Sequence, residues 1–342
     1  MILSIVVPVY NEEEVLAEFH RRLSTVLTDL DLRSEIVYVN DGSTDKSLCL
    51  LHELRQESPD MAIVDLSRNF GKEIAMTAGL DHAIGDAVVI IDADLQDPPE
   101  LIPTFVKYWR EGYDVVYGQR SERDGESLLK IASAHAFYRV INYLTRVNIP
   151  LDSGDFRLFS RRAVDSLGKI KETHRYMKGL FSWIGFRQKA VIYKRDSRFA
   201  GKTKWNYWAL WNFAVEGITS FSAAPLKLAT YLGIFTALIS FIYGIVIITK
   251  TLLYGDPVQG YPSLMVVVLF LGGVQLLAIG LLGEYLGRTF YETKNRPLYF
   301  VNLFEHSRSS SADHSMNDAV PEPADPDTKA GSDASGDVAS DN

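Results

Sequence analysis

The most informative stretch of this chain is Val88-Val89-Ile90-Ile91-Asp92-Ala93-Asp94-Leu95-Gln96-Asp97. Its four leading residues are apolar and mostly β-branched, which predicts a buried strand of a parallel sheet. The strand ends in two carboxylates, and ligands of open α/β sheets bind beyond the carboxyl ends of the strands. Oxygen ligands at that point suit Mg²⁺ or Mn²⁺ on a diphosphate, because Mg²⁺ uses one or two carboxylates together with substrate phosphates. A lone Asp-x-Asp is more often an acidic surface turn, so the surrounding sequence must decide between a surface turn and a metal site.

Apolar runs alternate with amphipathic segments throughout the N-terminal half of the chain. Strands that alternate with helices predict an α/β fold with a mostly parallel, doubly wound sheet. The predicted strands are Leu3–Val9, Ile36–Asn40, Ala62–Leu66, Ala87–Ile91 and Asp114–Gly118. The predicted helices are Glu12–Leu30, Thr44–Glu57, Lys72–Ala83, a segment after Pro98-Pro99, and Leu128–Arg146.

Two later segments have the composition of membrane-spanning helices. Leu228–Thr249 contains 22 residues without a charge and Pro257–Gly283 contains 27, and about 20 apolar residues cross a bilayer core. A buried core helix is the alternative, but two such runs in tandem favour a transmembrane hairpin. Basic residues flank the hairpin, so the positive-inside rule predicts a multi-pass protein of the inner (plasma) membrane with its catalytic domain in the cytoplasm.

The segments on either side of the hairpin differ in composition. Trp205, Trp208 and Trp211 occur with Lys202 and Lys204 before the first span, which predicts amphipathic helices in the headgroup region, although core packing is the alternative. Residues 305–342 carry nine acidic and two basic residues, which predicts a disordered acidic tail. The predicted organisation is a catalytic domain at 1–198, interface helices at 199–226, transmembrane helices at 227–288, a cytoplasmic juxtamembrane segment at 289–304, and the tail.

Composition also excludes several classes of protein. The single cysteine, Cys49, gives no intrachain disulfide framework. The seven histidines lack the spacing of zinc ligands. The N-terminus shows no basic region and no cleavage site, so no secretory signal is expected. No nucleic-acid partner is expected either.

Two further motifs follow predicted strands, Val7-Pro8-Val9-Tyr10-Asn11-Glu12-Glu13 and Val39-Asn40-Asp41-Gly42-Ser43-Thr44-Asp45. Asp41 is placed to accept hydrogen bonds from a base or ribose, while a turn followed by a helix cap is the alternative. Neither motif has the glycines of a dinucleotide fold or a P-loop, and Gly71-Lys72 lacks the rest of a P-loop. A bound nucleotide would therefore rely on a metal and on cationic side chains.

Seven motifs in this order resemble those of the family 2, inverting, nucleotide-sugar glycosyltransferases, which have a GT-A fold. Within that family the chain looks like the polyisoprenyl-phosphate glycosyltransferases, related to dolichol-phosphate mannose synthase, and is most similar to the bactoprenol glucosyltransferases. The resemblance covers about residues 1–303. The motifs are Pro-Val-Tyr-Asn-Glu-Glu (8–13), Asn-Asp-Gly-Ser-Thr-Asp (40–45), Arg-Asn-Phe-Gly-Lys-Glu (68–73), Asp-Ala-Asp-Leu-Gln-Asp-Pro (92–98), Gly-Asp-Phe-Arg-Leu (154–158), Gly-Lys-Thr-Lys-Trp (201–205) and Leu-Gly-Glu-Tyr-Leu-Gly-Arg (282–288).

The resemblance implies roles for individual residues. The base and ribose pocket would be lined by Pro8, Tyr10, Glu12, Val39 and Asp41, and the nucleotide would also touch Asp92 and Ala93. The divalent metal, Mg²⁺ or Mn²⁺, would face Asp94 and Gln96. The acceptor-side carboxylate would be Asp155, for which a structural turn residue is the alternative. The candidates for phosphate contacts are Arg120, Arg198 and Lys204.

The implied reaction transfers glucose from UDP-glucose to polyisoprenyl (undecaprenyl) phosphate. The acceptor oxygen is already anionic near neutral pH, so Asp155 is expected to orient the acceptor rather than take a proton. Mannose from GDP-mannose and an aminoarabinose derivative remain open as the sugar. A polysaccharide synthase would need a Gln-x-x-Arg-Trp motif and more spans, and a nonenzymatic scaffold would not need Asp92-x-Asp94. Small residues in the second span leave a homo-oligomer open.

Overall fold

The computed structural model describes residues 1–121, 153–173, 175–194, 224–254 and 260–307. The strands are β1 (Ile2–Val9), β2 (Arg33–Asn40), β3 (Met61–Leu66), β4 (Ala87–Ile90), β5 (Val115–Arg120), β6 (Ser153–Ser160), β7 (Gln188–Tyr193) and β8 (Val301–Glu305). The helices are α1 (Leu16–Thr28), α2 (Ser47–Glu57), α3 (Lys72–His82), α4 (Ile102–Arg110), α5 (Arg161–Gly168), α6 (Met177–Trp183), α7 (Ala224–Tyr254) and α8 (Tyr261–Thr293).

The described strands form one sheet in the order β7-β5-β6-β4-β1-β2-β3-β8. Strands β4, β1, β2 and β3 run parallel to one another. Strand β6 lies antiparallel between β4 and β5, and β8 lies antiparallel beside β3. The predicted mostly parallel α/β sheet is confirmed, with two reversed strands that were not predicted from the sequence.

Helices cover both faces of this sheet, as the continuous apolar runs of its strands require. One core contains Leu3, Ile5 and Val7 of β1 and is covered by α1, α2 and α4. The other contains Val6 and is covered by α3, α5 and α6. Helix α3 approaches closely at Gly79, where an added Cβ would lie 2.2 Å from Val6 Cγ1. This close approach brings the first turn of α3 to the edge of the sheet where β4 ends.

Helices α7 and α8 leave the sheet and expose apolar side chains along their length. Among the described residues, these two helices are long and apolar enough to cross a membrane, at Ala229–Val246 and Val266–Thr293. Phe241 is 68% exposed and Leu276 is 72% exposed, values that suit lipid rather than water. The two apolar helices of the predicted hairpin are therefore present, and α8 continues beyond the predicted end of its span.

Strand β8 occupies a segment whose sequence predicted a juxtamembrane connection and the first tail residue. Its last residue, Glu305, pairs with Arg55 at 2.8 Å, and Ser307 is buried. The strand and the two residues after it therefore cross the predicted tail boundary at 305, because residues after α8 pair with the edge of the sheet. The predicted helix Leu128–Arg146, the predicted interface helices and residues 308–342 lie outside the described residues.

Candidate active site

Polar side chains from three separate elements meet at the edge where the parallel strands end. Asp92 follows β4, and Lys72 begins α3. Asp155 lies near the start of β6, and because β6 runs antiparallel, its start reaches the same edge. The sequence prediction that Asp92 and Asp155 serve one site therefore agrees with their placement.

Lys72 joins the two carboxylates. Its Nζ donates to Asp92 Oδ2 at 2.7 Å and to Asp155 Oδ2 at 2.6 Å. The lysine side chain is 43% exposed, while those of Asp92 and Asp155 are 21% and 12% exposed. Burial disfavours the ammonium, but the two carboxylates outweigh it and raise the pKa of Lys72 above its ordinary value. The site therefore contains a permanent positive charge between its two main acids.

The same contact determines the ionisation of the two acids. Burial alone would raise the pKa of Asp155, but Lys72 and then Lys178 outweigh it and hold this pKa below its usual range. Asp92 behaves differently, because burial outweighs the attraction of Lys72 and raises its pKa to about 6. Asp155 is thus a weak base at neutral pH, whereas Asp92 has a raised pKa.

Two further polar groups of this cluster lie deep in the site. Asp155 Oδ1 is buried, and no hydrogen-bond partner for it occurs among the residues that the structure describes. Glu73, next to Lys72, accepts a hydrogen bond from the Met177 amide at 3.0 Å. Burial, assisted by the charge of Asp155, raises the pKa of Glu73 to about 7. The buried Oδ1 atom of Asp155 is the oxygen of this pair that is available to a substrate or a cation.

The Asp-x-Asp motif forms a tight turn after β4. Leu95 has a φ of 58°, which is uncommon for a residue with a branched side chain, while that side chain is buried. The Gln96 amide donates to Asp94 Oδ1 at 3.2 Å. Backbone strain of this kind is stored where function requires a fixed geometry. The turn leaves the side chains of Asp94 and Gln96 half-buried at the edge of the sheet.

The residues of this turn fit a divalent cation that shares its ligands with a substrate. No group of three or more His, Cys, Asp or Glu side chains forms a metal cage within the described ranges. Mg²⁺ does not need one, since it binds through one or two carboxylates plus phosphates. The negative charges of Asp155, Asp97 and Asp94 each raise the pKa of Asp92, so the cluster has excess negative charge. The donor set is oxygen-rich, as Mg²⁺ and Mn²⁺ prefer.

Arg120 reaches the site from the end of β5. A Cβ built on Gly154 would lie 3.7 Å from Arg120 Nη2 and 3.9 Å from Asp97 Oδ2, so the three residues are neighbours. The Tyr193 hydroxyl donates to Asp97 Oδ1. Arg120 Nε is buried without a hydrogen-bond partner in the described part of the chain. A guanidinium placed in this way retains donors for a phosphate.

Asp41 is buried, and its two carboxylate oxygens hold the neighbouring 70–71 loop. Its two carboxylate oxygens accept hydrogen bonds from the amides of Phe70 at 2.7 Å and Gly71 at 3.0 Å. Burial raises the pKa of Asp41, and the two amides oppose that shift. Asp41 is 3% exposed. This side chain therefore has a local structural task that its sequence context did not predict.

The other predicted nucleotide-pocket residues fall into two groups. Tyr10 is 39% exposed, and Pro8 and Glu12 are half-buried beside it at the end of β1. Val39 and Ala93 are buried, and the side chain of Val39 packs in the core under α3. A ligand at this edge could reach the side chains of Pro8, Tyr10 and Glu12, but it could not reach the buried side chain of Val39. Arg198 and Lys204 lie outside the described residues.

Arg157, two residues after Asp155, packs among aromatic rings, and its positive charge also lowers the pKa of Asp155. Arg157 is fully buried, its Nε donates to the Gly154 carbonyl at 3.2 Å, and its guanidinium lies over the rings of Tyr117 and Phe181. Lys72, 83 residues away in sequence, is the partner of Asp155. The site residues that were not predicted from the sequence are Lys72, Glu73, Asp97 and Tyr193. The sequence signal for two of them, Lys72 and Glu73, is the 68–73 motif that contains both residues.

Comparisons with known proteins follow the same division of the chain. Residues 4–168 match the family model described as glycosyl transferase family 2, and residues 224–289 match the model of the GtrB C-terminal hairpin. An uncharacterized glycosyltransferase of Synechocystis sp. is 54% identical over 88% of this chain and 94% of its own length. The SfII prophage-derived bactoprenol glucosyl transferase of Shigella flexneri is 48% identical over 88% of this chain and 97% of its own.

A solved structure shows a more distant likeness. The glucosyl-3-phosphoglycerate synthase of Mycobacterium tuberculosis, crystallised with Mn²⁺, uridine diphosphate and phosphoglyceric acid, is 20% identical to this chain. The match has a TM-score of 0.42 and covers 63% of this chain and 75% of the other.

Proposed function

Because this chain belongs to glycosyl transferase family 2, we propose that it transfers glucose from UDP-glucose to undecaprenyl phosphate, with inversion, at the cytoplasmic face of the inner membrane. The observation that carries the proposal is the contact of Lys72 with both Asp92 and Asp155, beside the strained Asp94 turn. The relatives named bactoprenol glucosyl transferases are 48% and 47% identical to this chain over 88% of its length. Glucose and the lipid acceptor are taken from those names.

The donor half of the site would bind the nucleotide sugar between the ends of β1, β2 and β4. Tyr10 and Glu12 follow β1 at that edge, and Asp92 follows β4, which pairs with β1. Asp94 and Gln96 would hold Mg²⁺ or Mn²⁺ at the diphosphate, where its positive charge would stabilise the leaving UDP. Arg120 would hold a phosphate oxygen from the opposite side of the turn.

The acceptor half would place a phosphate oxygen of the lipid opposite the bond from C1 to the diphosphate. That oxygen attacks C1 as the bond to UDP breaks, so no proton has to leave the nucleophile. Lys72 holds Asp155 ionised, which suits a group that orients and stabilises rather than one that accepts a proton. The ammonium of Lys72 would also offset the charge of two phosphate-bearing substrates in one site.

The hairpin supports the choice of a lipid acceptor. A polyprenyl chain stays in the bilayer, so an enzyme that uses it must be held at the headgroup plane. Glu292, in the last turn of α8, accepts a hydrogen bond from the Thr173 amide at 2.8 Å. This contact joins the cytoplasmic end of the proposed span to the catalytic domain. Thr173 lies four residues before Met177, whose amide donates to Glu73 in the site.

A transfer assay tests the proposal. The full chain in lipid nanodiscs is incubated with undecaprenyl phosphate and, separately, with radiolabelled UDP-glucose, UDP-GlcNAc and GDP-mannose, and product is measured after organic extraction. We expect labelled glucose in the lipid phase, a loss of transfer in EDTA, and recovery with Mn²⁺ or Mg²⁺. Asp94→Ala should abolish transfer, since a metal contribution of several kcal/mol (roughly 10³-fold or more) is removed.

The controls separate the parts of the proposal. Asp45→Ala changes a carboxylate at the same edge that accepts hydrogen bonds from the backbone amides of Glu13 and Ser47, and it should retain metal-dependent transfer. Label from another sugar nucleotide alone would correct the donor. Label that stays in the aqueous phase as polymer, or activity unaffected by EDTA, would refute the lipid acceptor or the metal.

A further inference from the structure

Strand β8 connects the second apolar helix to the edge of the catalytic sheet. It pairs antiparallel with β3, with Val64 opposite Phe304 and Asp65 opposite Leu303. The Ser67 amide also donates to the Phe300 carbonyl at 2.9 Å. Only residues 294–300 separate β8 from the end of α8. The last strand of the sheet is therefore covalently close to the membrane helix.

Asp65 lies at the centre of the contact between β8 and the rest of the sheet. It is 5% exposed. Its Oδ2 accepts a hydrogen bond from Asn302 Nδ2 at 2.8 Å, and its Oδ1 accepts one from Asn40 Nδ2 at 2.7 Å. A buried carboxylate is costly unless such donors satisfy it. Asp65 therefore links a side chain of β8 to a side chain at the very end of β2.

The chain of contacts continues from Asn40 into the loops at the active edge. Asn40 Oδ1 accepts the Ser43 amide at 3.3 Å. The next residue, Asp41, holds the amides of Phe70 and Gly71, and Gly71 immediately precedes Lys72. The loops are also in tight contact, since a Cβ on Gly42 would lie 2.5 Å from the backbone of residues 68 and 69.

We propose that Asn302 and Asp65 are positioning residues for the donor nucleotide, through which the C-terminal strand holds the 40–43 and 68–71 loops in their binding geometry. This inference rests on the proposed function, which places the nucleotide at those loops. Neither side chain touches the reacting atoms. They act by pre-organising the pocket, which lowers the cost of ordering the loops when the donor binds.

The arrangement gives a specific expectation for donor binding. Asn302→Ala removes one of two donors from a buried carboxylate, and Asp65 then turns toward water or toward Asn40. Couplings of this kind amount to about 0.5–2 kcal/mol, or roughly 2- to 30-fold in affinity. We expect the UDP-glucose Kd and KM of Asn302→Ala to rise about fivefold, with kcat changed less than twofold.

The experiment uses the full chain in nanodiscs and compares four proteins: wild type, Asn302→Ala, the exchange variant Asp65→Asn/Asn302→Asp, and Val301→Ala. In the exchange variant, Asn at 65 accepts from Asn40 and donates to Asp at 302, so both contacts are restored. Val301 lies next to Asn302 on β8 and is 37% exposed, so its truncation controls for a general weakening of the strand. Calorimetric binding of UDP-glucose, transfer kinetics and thermal unfolding are measured for each.

Hydrogen exchange without any ligand supplies a second measurement, which does not depend on the identity of the donor. Faster exchange of the 40–43 and 68–71 amides in Asn302→Ala, restored in the exchange variant together with Kd, supports the proposal. Equal Kd and equal exchange in wild type and Asn302→Ala overturn it, even if the variant melts earlier. If wild type neither binds nor transfers from any sugar nucleotide, the proposed function fails, and exchange alone then decides whether the strand holds the loops.

Discussion

Replacing Lys72 with methionine should change the pH dependence of transfer, because this ammonium is the charge that keeps two buried acids ionised together. Methionine keeps the length and apolar character of the stem and removes the charge. Asp92 Oδ2 and Asp155 Oδ2 both lie within hydrogen-bonding distance of Lys72 Nζ, so they are about 5 Å apart at most. Without Lys72 the two carboxylates face each other directly.

The size of the effect follows from the attraction that is lost, because the pKa of Asp92 already includes the repulsion of Asp155. At an effective dielectric constant of about 20, an ammonium and a carboxylate about 4 Å apart attract by about 4 kcal/mol, and screening by water at the partly exposed Lys72 reduces this to about 3 kcal/mol, which is about two pKa units. Burial already raises the pKa of Asp92 to about 6 with Lys72 in place. The upper pKa of the pair in Lys72→Met should therefore be about 8, as a property of the pair rather than of one residue.

The assay is single-turnover transfer from UDP-glucose at saturating donor and metal, between pH 7 and pH 9. The wild-type rate should vary less than twofold over this range, because the acids are already ionised above pH 7. The Lys72→Met rate should rise with pH by about tenfold, since an acid with a pKa of about 8 is mostly protonated at pH 7 and mostly ionised at pH 9.

Two control variants make the interpretation specific. Lys72→Arg keeps the positive charge and should keep the wild-type pH profile, even if its absolute rate falls because the head group is larger. Lys178→Met removes the weaker of the two lysine influences on Asp155 and should give a smaller shift. A Lys72→Met profile that is flat above pH 7, in protein that melts like wild type, would refute this electrostatic account of the site.

Three further predictions concern the acids and the C-terminal segment. Asp155→Asn should slow transfer by less than the roughly 10²–10⁴-fold expected for loss of a general base, and should leave UDP-glucose Kd unchanged; a larger loss would show that Asp155 takes a proton. Glu73 has a folded pKa of about 7 against an ordinary 4.5, so its contribution to stability falls as pH rises between those values. Glu73→Gln should flatten that part of the dependence of Tm on pH, and an unchanged slope would contradict the assignment. Truncation after Ser307 should leave transfer within about twofold of wild type, whereas truncation after Phe300 removes β8 and should lower both Tm and donor affinity; equal behaviour of the two truncations would show that β8 is dispensable.

The sequence alone predicted the strands and helices whose burial follows directly from local composition. Strands β1 to β4 were predicted within a few residues because β-branched apolar runs that alternate with amphipathic helices are typical of parallel sheets covered on both faces. The two apolar helices were predicted from length and lack of charge. In both cases local composition determines the element, so no knowledge of distant contacts was needed.

The elements that were missed depend on partners far away in the chain. Strand β6 contains Arg157, a fully buried charge that is stabilised by the rings of Tyr117 and Phe181, and no pattern rule predicts a buried arginine in a strand. Strand β8 is short and contains Asn302, whose partner is Asp65. A polar residue at such a position looks like loop sequence until its partner is known.

The candidate site divides in the same way. Asp92, Asp94 and Asp155 were predicted from strand ends and family motifs, and their roles stay predictions. Lys72 was missed, since its two contacts are 20 and 83 residues away. Asp41 was predicted to line the base and ribose pocket, and the sequence did not show that its oxygens hold the amides of Phe70 and Gly71. Residue type and local spacing do not show which of several possible partners an acid will find.

The reversed direction of β6 has a consequence for how such enzymes can diverge. The ladder with β4 sets Ile90 opposite Arg157 and Ala87 opposite Ser160, and a slip of one residue would turn Asp155 to the other face of the sheet. The position of this acid is therefore fixed by strand pairing and not by the length of the chain between Arg120 and Ser153. Insertions and deletions in that connection can therefore accumulate in evolution without moving Asp155.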